Sequence, residues 1–192
     1  MQIIDVFGDH AACCAMSSDR IHNRVRNLLD RIAQEGMLSP VMEKRGILGD
    51  VDGRRPGDVT IPVWRANKGL AIDVAVTSPL APSNLNDPQP SKSYATWKKH
   101  ANYDDDFKGT AFDFAAMVFE TTGGVNNEGL EVLRQLFRFA AKHQGVQLSV
   151  YCGRAWARLA CNIQSSVSQC FLNRSGSIAA IQKDIDFLSL DF

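Results

Sequence analysis

Between residues 57 and 77 two apolar–polar alternations flank a short turn, a pattern that commits this part of the chain to a β-hairpin. Val59, Ile61 and Val63 alternate with Asp58, Thr60 and Pro62, and Ile72, Val74 and Val76 alternate with Asp73, Ala75 and Thr77. A period of two sends successive side chains to opposite faces of a strand. Strands are therefore expected over 57–64 and 70–77, around the turn Ala66-Asn67-Lys68-Gly69. Asp58 and Asp73, fifteen residues apart, both project away from the apolar face, which places two carboxylates on one side of the hairpin. Such a pair suits a hard cation such as Mg2+, which takes oxygen ligands and binds phosphate at its open positions.

The register sets a condition on that reading. A turn centred near residue 67 puts Asp73 opposite Pro62, four residues from Asp58. At ~3.3 Å per residue the two acids then stand roughly 13 Å apart, too far for one metal. Strand twist or a bulge must bring them together, and Pro62, which has no ladder hydrogen to donate, is the natural place for one.

Around the hairpin the pattern alternates between helix and strand. Residues 19–35 read as a helix, with Asp19 as N-cap, Ile21, Val25, Leu28, Leu29 and Ile32 as its apolar stripe and Gly36 as its stop. The proline-rich stretch 78–91 reads as a loop open to movement, and a helix follows from about Ser91 to Tyr103. Residues 111–119 read as a buried strand, turned by Gly123-Gly124. Asn127 opens a helix that carries Leu130, Leu133, Leu136, Phe137 and Ala140 on one face and closes at Gly145; another helix fills 149–172, and a short one lies within 175–192. This order predicts an α/β domain with one mixed central sheet flanked by helices. At 192 residues, 45% of them apolar, a single domain over 1–192 with a substantial core is expected.

Composition narrows the setting. No apolar run approaches the ~20 residues of a membrane span, and Met1-Gln2-Ile3-Ile4-Asp5 lacks the features of a signal peptide. An intracellular, soluble protein is expected, nuclear in a eukaryote and cytoplasmic otherwise. Five cysteines, odd in number and without CxxC spacing, argue for reduced thiols. Cys152, Cys161 and Cys170 recur every nine residues and read as small apolar core positions. Lys plus Arg and Asp plus Glu number 21 each, so any DNA site must be a local basic patch.

Phosphodiester hydrolysis needs a cation near the developing phosphorane charge. Lys99, with Tyr103 at i+4 on the same expected helix face, offers one, and Lys98 stands beside it. His22, near the start of the first helix, is either a phosphate or water contact or an exposed helix residue. Arg134, Arg138 and Lys142 form a stripe that is either solvated or a phosphate rail, and Arg154 and Arg158 make a similar pair.

These residues fall in a recognisable order. Gly8-Asp9-His10 with Cys13 and Cys14 is followed by His22-Asn23-Arg24-Val25-Arg26, Glu43, Arg55-Pro56-Gly57-Asp58, Asp73-Val74-Ala75-Val76, and Lys99 with Tyr103. Over about residues 5–140 the chain resembles the restriction-like endonuclease domain of site-specific non-LTR retrotransposon proteins, a branch of the PD-(D/E)XK nucleases. The resemblance implies a restriction-endonuclease-like core and a Mg2+- or Mn2+-dependent DNA endonuclease that nicks target DNA for a mobile element. Asp58 and Asp73 would hold the metal. Lys99 would replace the lysine that other members carry two residues after the second acid, where Ala75 stands here. Glu43 would assist at the metal or fix the first strand, and Tyr103 would position Lys99. His22, Arg26, Arg55, Lys98, Arg134 and Arg138 are the expected nucleic-acid contacts.

Two departures from the family pattern stand out. No CxxC precedes His10, so a complete Zn2+ site is not expected, and residues 1–18 read as the remnant of a His/Cys zinc element. Gly57 is inserted between Pro56 and Asp58, which would shift the first carboxylate. DNA is the expected partner, with a homodimer or a larger reverse-transcribing protein as the assembly. A catalytically silent DNA-binding module and an RNA or single-strand nuclease on the same fold are the alternatives.

Overall fold

In a computed structural model the described residues are 15–49 and 54–174. His10, Cys13, Cys14 and the expected helix within 175–192 lie outside them. The described chain is a mixed α/β structure. Its elements are α1 (Ala15–Glu35), β1 (Val41–Met42), β2 (Val59–Arg65), β3 (Lys68–Thr77) and α2 (Pro90–Tyr94). A π-helical turn (Ala95–His100) then leads directly into α3 (Ala101–Phe107), followed by β4 (Phe112–Glu120), α4 (Asn127–Gln144) and α5 (Leu148–Arg174). Among these helices none is long and apolar enough to cross a membrane.

The four strands form one sheet in the order β1-β2-β3-β4. β1, β2 and β3 pair antiparallel, whereas β3 and β4 run parallel from Gly69↔Phe112 to Thr77↔Glu120. Parallel neighbours need a crossover, and α2, the π turn and α3 supply it on one face of the sheet. The other face carries the main core. There Ile21, Leu29 and Ile32 of α1, Leu133 and Phe137 of α4 and Leu159 and Ile163 of α5 pack on Val59, Ile61, Ile72, Val74, Met117 and Phe119. The side chains of the intervening positions Ala71, Ala75, Phe114, Ala116 and Val118 meet Ala95, Tyr103 and Phe107 of the crossover. The period of two thus assigns Asp73 to the crossover face.

The hairpin differs from its expected form. Arg65 pairs with Lys68 across a two-residue turn in which Asn67 has φ +64°, whereas Ile61 pairs with Leu70. Residues 62–64 therefore oppose Gly69 alone, and the distortion falls at Pro62, as its missing amide hydrogen requires. The bulge turns the chain over: Val63, expected inside, is 73% exposed, and Trp64 takes the core place beside Phe139. It also withdraws β2 by two residues, and the turn, set one position earlier than expected, supplies the other two, so the four-residue separation expected between the acids is removed. Gly69 is required at this crossing, because a Cβ there would stand 2.4 Å from the Phe112 ring and 2.8 Å from the Ile61 carbonyl.

Two further expectations, for Asp19 and for the cysteines, are corrected. Asp19 is not an N-cap, since α1 already runs from Ala15 and Asp19 sits one turn inside it. In the loop after β3 the Asn84 amide donates to Thr77 Oγ1 at 3.0 Å and to the Ser78 carbonyl at 2.8 Å. Cys161 is exposed while Cys170 is buried and Cys152 half-buried. Nine residues at about 100° each make two and a half helical turns, so alternate cysteines face opposite ways.

Candidate active site

β2 and β3 bring the two acids together. The Asp58 N–H donates to the Ile72 carbonyl at 2.8 Å, and Val59 pairs with Ile72, so Asp58 enters the sheet beside Asp73. The Val74 N–H is received by a side chain, Asp58 Oδ2, at 2.7 Å. The register sets Asp58 opposite Asp73, so each carboxyl acts on the ionisation of the other. From α1, His22 Nε2 stands 3.1 Å from the same Asp58 Oδ2. From the crossover, Lys99 Nζ stands 2.8 Å from Asp73 Oδ2, an ion pair in which that buried oxygen receives no well-aligned hydrogen bond.

These contacts set the charges. Burial pushes the Asp73 carboxyl up to about 6; Lys99 opposes the rise and the neighbouring Asp58 charge adds to it. Burial alone would also raise Asp58, but the His22 hydrogen bond and charge, with the Val74 amide, hold it below the ordinary carboxylate range. His22 is raised, chiefly by its hydrogen bond to Asp58. Lys99 is raised as well, because the Asp73 charge outweighs the burial that disfavours its ammonium. The pair is thus asymmetric: Asp58 is the carboxylate that ionises first, and Asp73 keeps its proton up to about pH 6.

The four side chains line an open cleft of about 310 Å3, together with Asp19, Tyr94 and the strand segment Val74–Val76. Tyr94 belongs there because of the π turn. With five residues to its hydrogen-bonded repeat, that turn places Lys99 with the residue five positions earlier instead of with Tyr103. Tyr103 packs on Phe114, ring centroids 5.2 Å apart, and does not line the cleft. Asp19 was legible as the residue three before His22 on one helix face, whereas the π turn left no mark in the apolar pattern.

The remaining expected residues lie elsewhere. Glu43, whose backbone has φ +46°, accepts Arg26 Nη1 at 2.6 Å and is also paired with Arg55 Nη1, outside the cleft lining. Its own N–H donates to the Asp58 carbonyl at 2.9 Å, so it abuts the site through its backbone. Lys98 is exposed beside Lys99; Arg134 is paired with Glu131 and Arg138 is exposed, both on α4 and away from the cleft. A larger hollow of about 450 Å3, lined by Trp64, Lys68, Phe112, Asp113 and Glu128 among others, contains none of Asp58, Asp73 and Lys99.

In comparisons with known proteins, no family model matches the chain and no curated protein matches it. Among the described residues no three or more His, Cys, Asp or Glu side chains are arranged to hold a metal ion. What the cleft offers a cation is the Asp58–Asp73 pair. Its fit is that of a hard ion: both donors are carboxylate oxygens, one of them is buried without an aligned hydrogen bond, and phosphate-binding Mg2+ sites use one or two carboxylates, with waters and the substrate completing the shell.

Proposed function

We propose that the chain is a divalent-metal-dependent endonuclease that hydrolyses DNA phosphodiester bonds on a restriction-endonuclease-like core, with Mg2+ or Mn2+ held by Asp58 and Asp73. The observation that carries this reading is the convergence of two strand-borne carboxyls with one lysine ammonium, 2.8 Å from Asp73, in an open cleft. A divalent ion supplies Lewis-acid stabilisation of the charge that develops on the phosphate. Lys99 brings a second positive charge to the same place from the opposite layer, where it stabilises the phosphorane oxygens. His22 and the Val74 amide orient Asp58 and keep it ionised. The order of motifs shared with the endonuclease domain of site-specific retrotransposon proteins suggests nicking of target DNA for a mobile element.

The test is incubation of the chain with supercoiled plasmid in Mg2+, Mn2+ or EDTA, alongside Asp73→Ala. Metal-dependent nicking is expected from the wild type and none from the variant. Absence of wild-type nicking with both metals would defeat the proposal. Retained DNA binding in that case would favour the second reading, a catalytically silent DNA-binding module, for which the lack of a three-ligand cluster among the described residues speaks.

A further inference from the structure

Lys99 reaches Asp73 from a π-helical turn, a geometry that is rare and recurs at functional sites. Such a turn needs fastening from outside. On its N-terminal side the fastener is apolar: Ala95 is buried against Ala75, Ala116 and Val118. On its C-terminal side it is polar, and it is the residue next to Lys99. His100 Nδ1 lies 2.7 Å from Asp104 Oδ1, one turn on in α3, and His100 Nε2 lies 2.7 Å from Glu128 Oε2, in the first turn of α4. Glu128 Oε2 also accepts the Ala116 N–H of β4 at 3.3 Å, and the His100 ring stands edge-on to Phe114 of the same strand, centroids 5.4 Å apart. One imidazole thus joins the Lys99 turn to α3, β4 and α4.

We propose that His100 is a positioning residue for Lys99: its imidazolium, clamped between Asp104 and Glu128, fixes the π turn that holds the lysine at Asp73. The proposal rests on the nuclease reading above. Two carboxylates at hydrogen-bonding distance from the two ring nitrogens require both nitrogens to donate, which only the charged ring does. A neutral ring turns a lone pair toward one carboxylate, and that half of the clamp opens. The charged groups facing the ring are Asp104 from α3 and Glu128 from α4, whereas β4 presents only Phe114 and a backbone amide. Burial disfavours the imidazolium, and the two carboxylates overcome it, so His100 titrates above its ordinary value. With the folded value raised, the clamp is complete at lower pH and is lost as pH rises through that value.

The experiment measures plasmid nicking across the neutral pH range for wild type, His100→Gln and Glu128→Gln. Amide exchange over residues 95–107 and the melting temperature are followed in the same samples. In the wild type, kcat is expected to fall on the alkaline side with KM for DNA little changed, as protection of 95–107 falls. In His100→Gln the alkaline limb should disappear, with kcat lower by about 10- to 100-fold at the wild-type optimum, the scale of a misplaced catalytic group. Glu128→Gln should lower kcat in the same direction, because one arm of the clamp loses its charge. Unchanged kcat and pH profile in a folded His100→Gln would overturn the inference while leaving the nuclease reading intact. So would lost protection without any change in cleavage, which would make His100 a structural fastener only. A wild-type chain that does not nick DNA would overturn both.

Discussion

Asp58 and Asp73 have the same side chain and opposite ionisation behaviour, and the difference comes from what each was given on burial. Asp58 received an imidazole at 3.1 Å and a backbone amide at 2.7 Å; Asp73 received the Lys99 ion pair but also the adjacent Asp58 charge. The pH dependence follows from the sign of each shift. Asp73 titrates near 6 in the fold and near the ordinary carboxyl value of about 4 when unfolded, so between these values the folded state binds the extra proton. Metal-free stability should therefore decline as pH rises across that window, and the decline should be smaller in Asp73→Asn, as melting curves on the two proteins would show. Asp58 contributes the opposite way, with stability present above the unfolded value and lost as pH falls through its lowered one. Cleavage should rise across the same window in which Asp73 sheds its proton, because only the ionised pair holds a divalent cation.

At the level of elements, the edges and turns place the chemistry more than the strands do. The bulge at Pro62 and the early turn bring Asp58 beside Ile72 and Asp73, and the π turn brings Lys99 into line with Tyr94. The sheet edge at β4 is closed by a side chain acting as a strand. Asn126 Oδ1 accepts the Val118 N–H and its Nδ2 donates to the Ala116 carbonyl, both at 2.9 Å and buried. Glu128 continues the cover at the Ala116 N–H. This protects an edge that would otherwise pair with another chain. Asn126→Ala should leave two buried backbone groups without partners and destabilise the fold by at least about 2 kcal/mol. Denaturant unfolding measures this, and a change within error would show that water or relaxation replaces the amide.

For the molecule as a whole, the two helical layers both reach the cleft, and their mutual fixation matters. α1, which carries His22, is tied to α5 at its middle and at its C-terminal end. Arg24 donates to Ser165 and Ser166 at 3.0 and 3.2 Å, and Glu35 accepts Arg158 at 2.9 and 3.1 Å as well as the Tyr151 hydroxyl. That hydroxyl is pushed up by burial and by the Glu35 charge, and it stays protonated. Glu35→Ala should cost about 1–2 kcal/mol, chiefly because the buried Tyr151 hydroxyl loses its acceptor, while the half-exposed Arg158 loses a partner that solvent partly replaces. Its thermal unfolding midpoint should fall by several degrees, with metal-dependent nicking below that midpoint unchanged.

How much of this was legible beforehand divides along a physical line. Local periodicity determined the helices of 127–144 and 148–174 and the strands of the hairpin and of 112–120, and it put Asp58 and Asp73 on one side of that hairpin, because apolar spacing is a property of the chain itself; Lys99 was singled out by the resemblance in motif order. The register of Asp58 against Asp73, the exchange of Val63 for Trp64 in the core, the engagement of Glu43 by two arginines and the phase of the π turn were decided only in three dimensions. Glu43 meets its arginines only through tertiary packing, and the others depend on a two-residue slip or a single extra residue per turn. Steps that small leave the hydrophobic pattern almost unchanged and are selected by packing against the opposite layer.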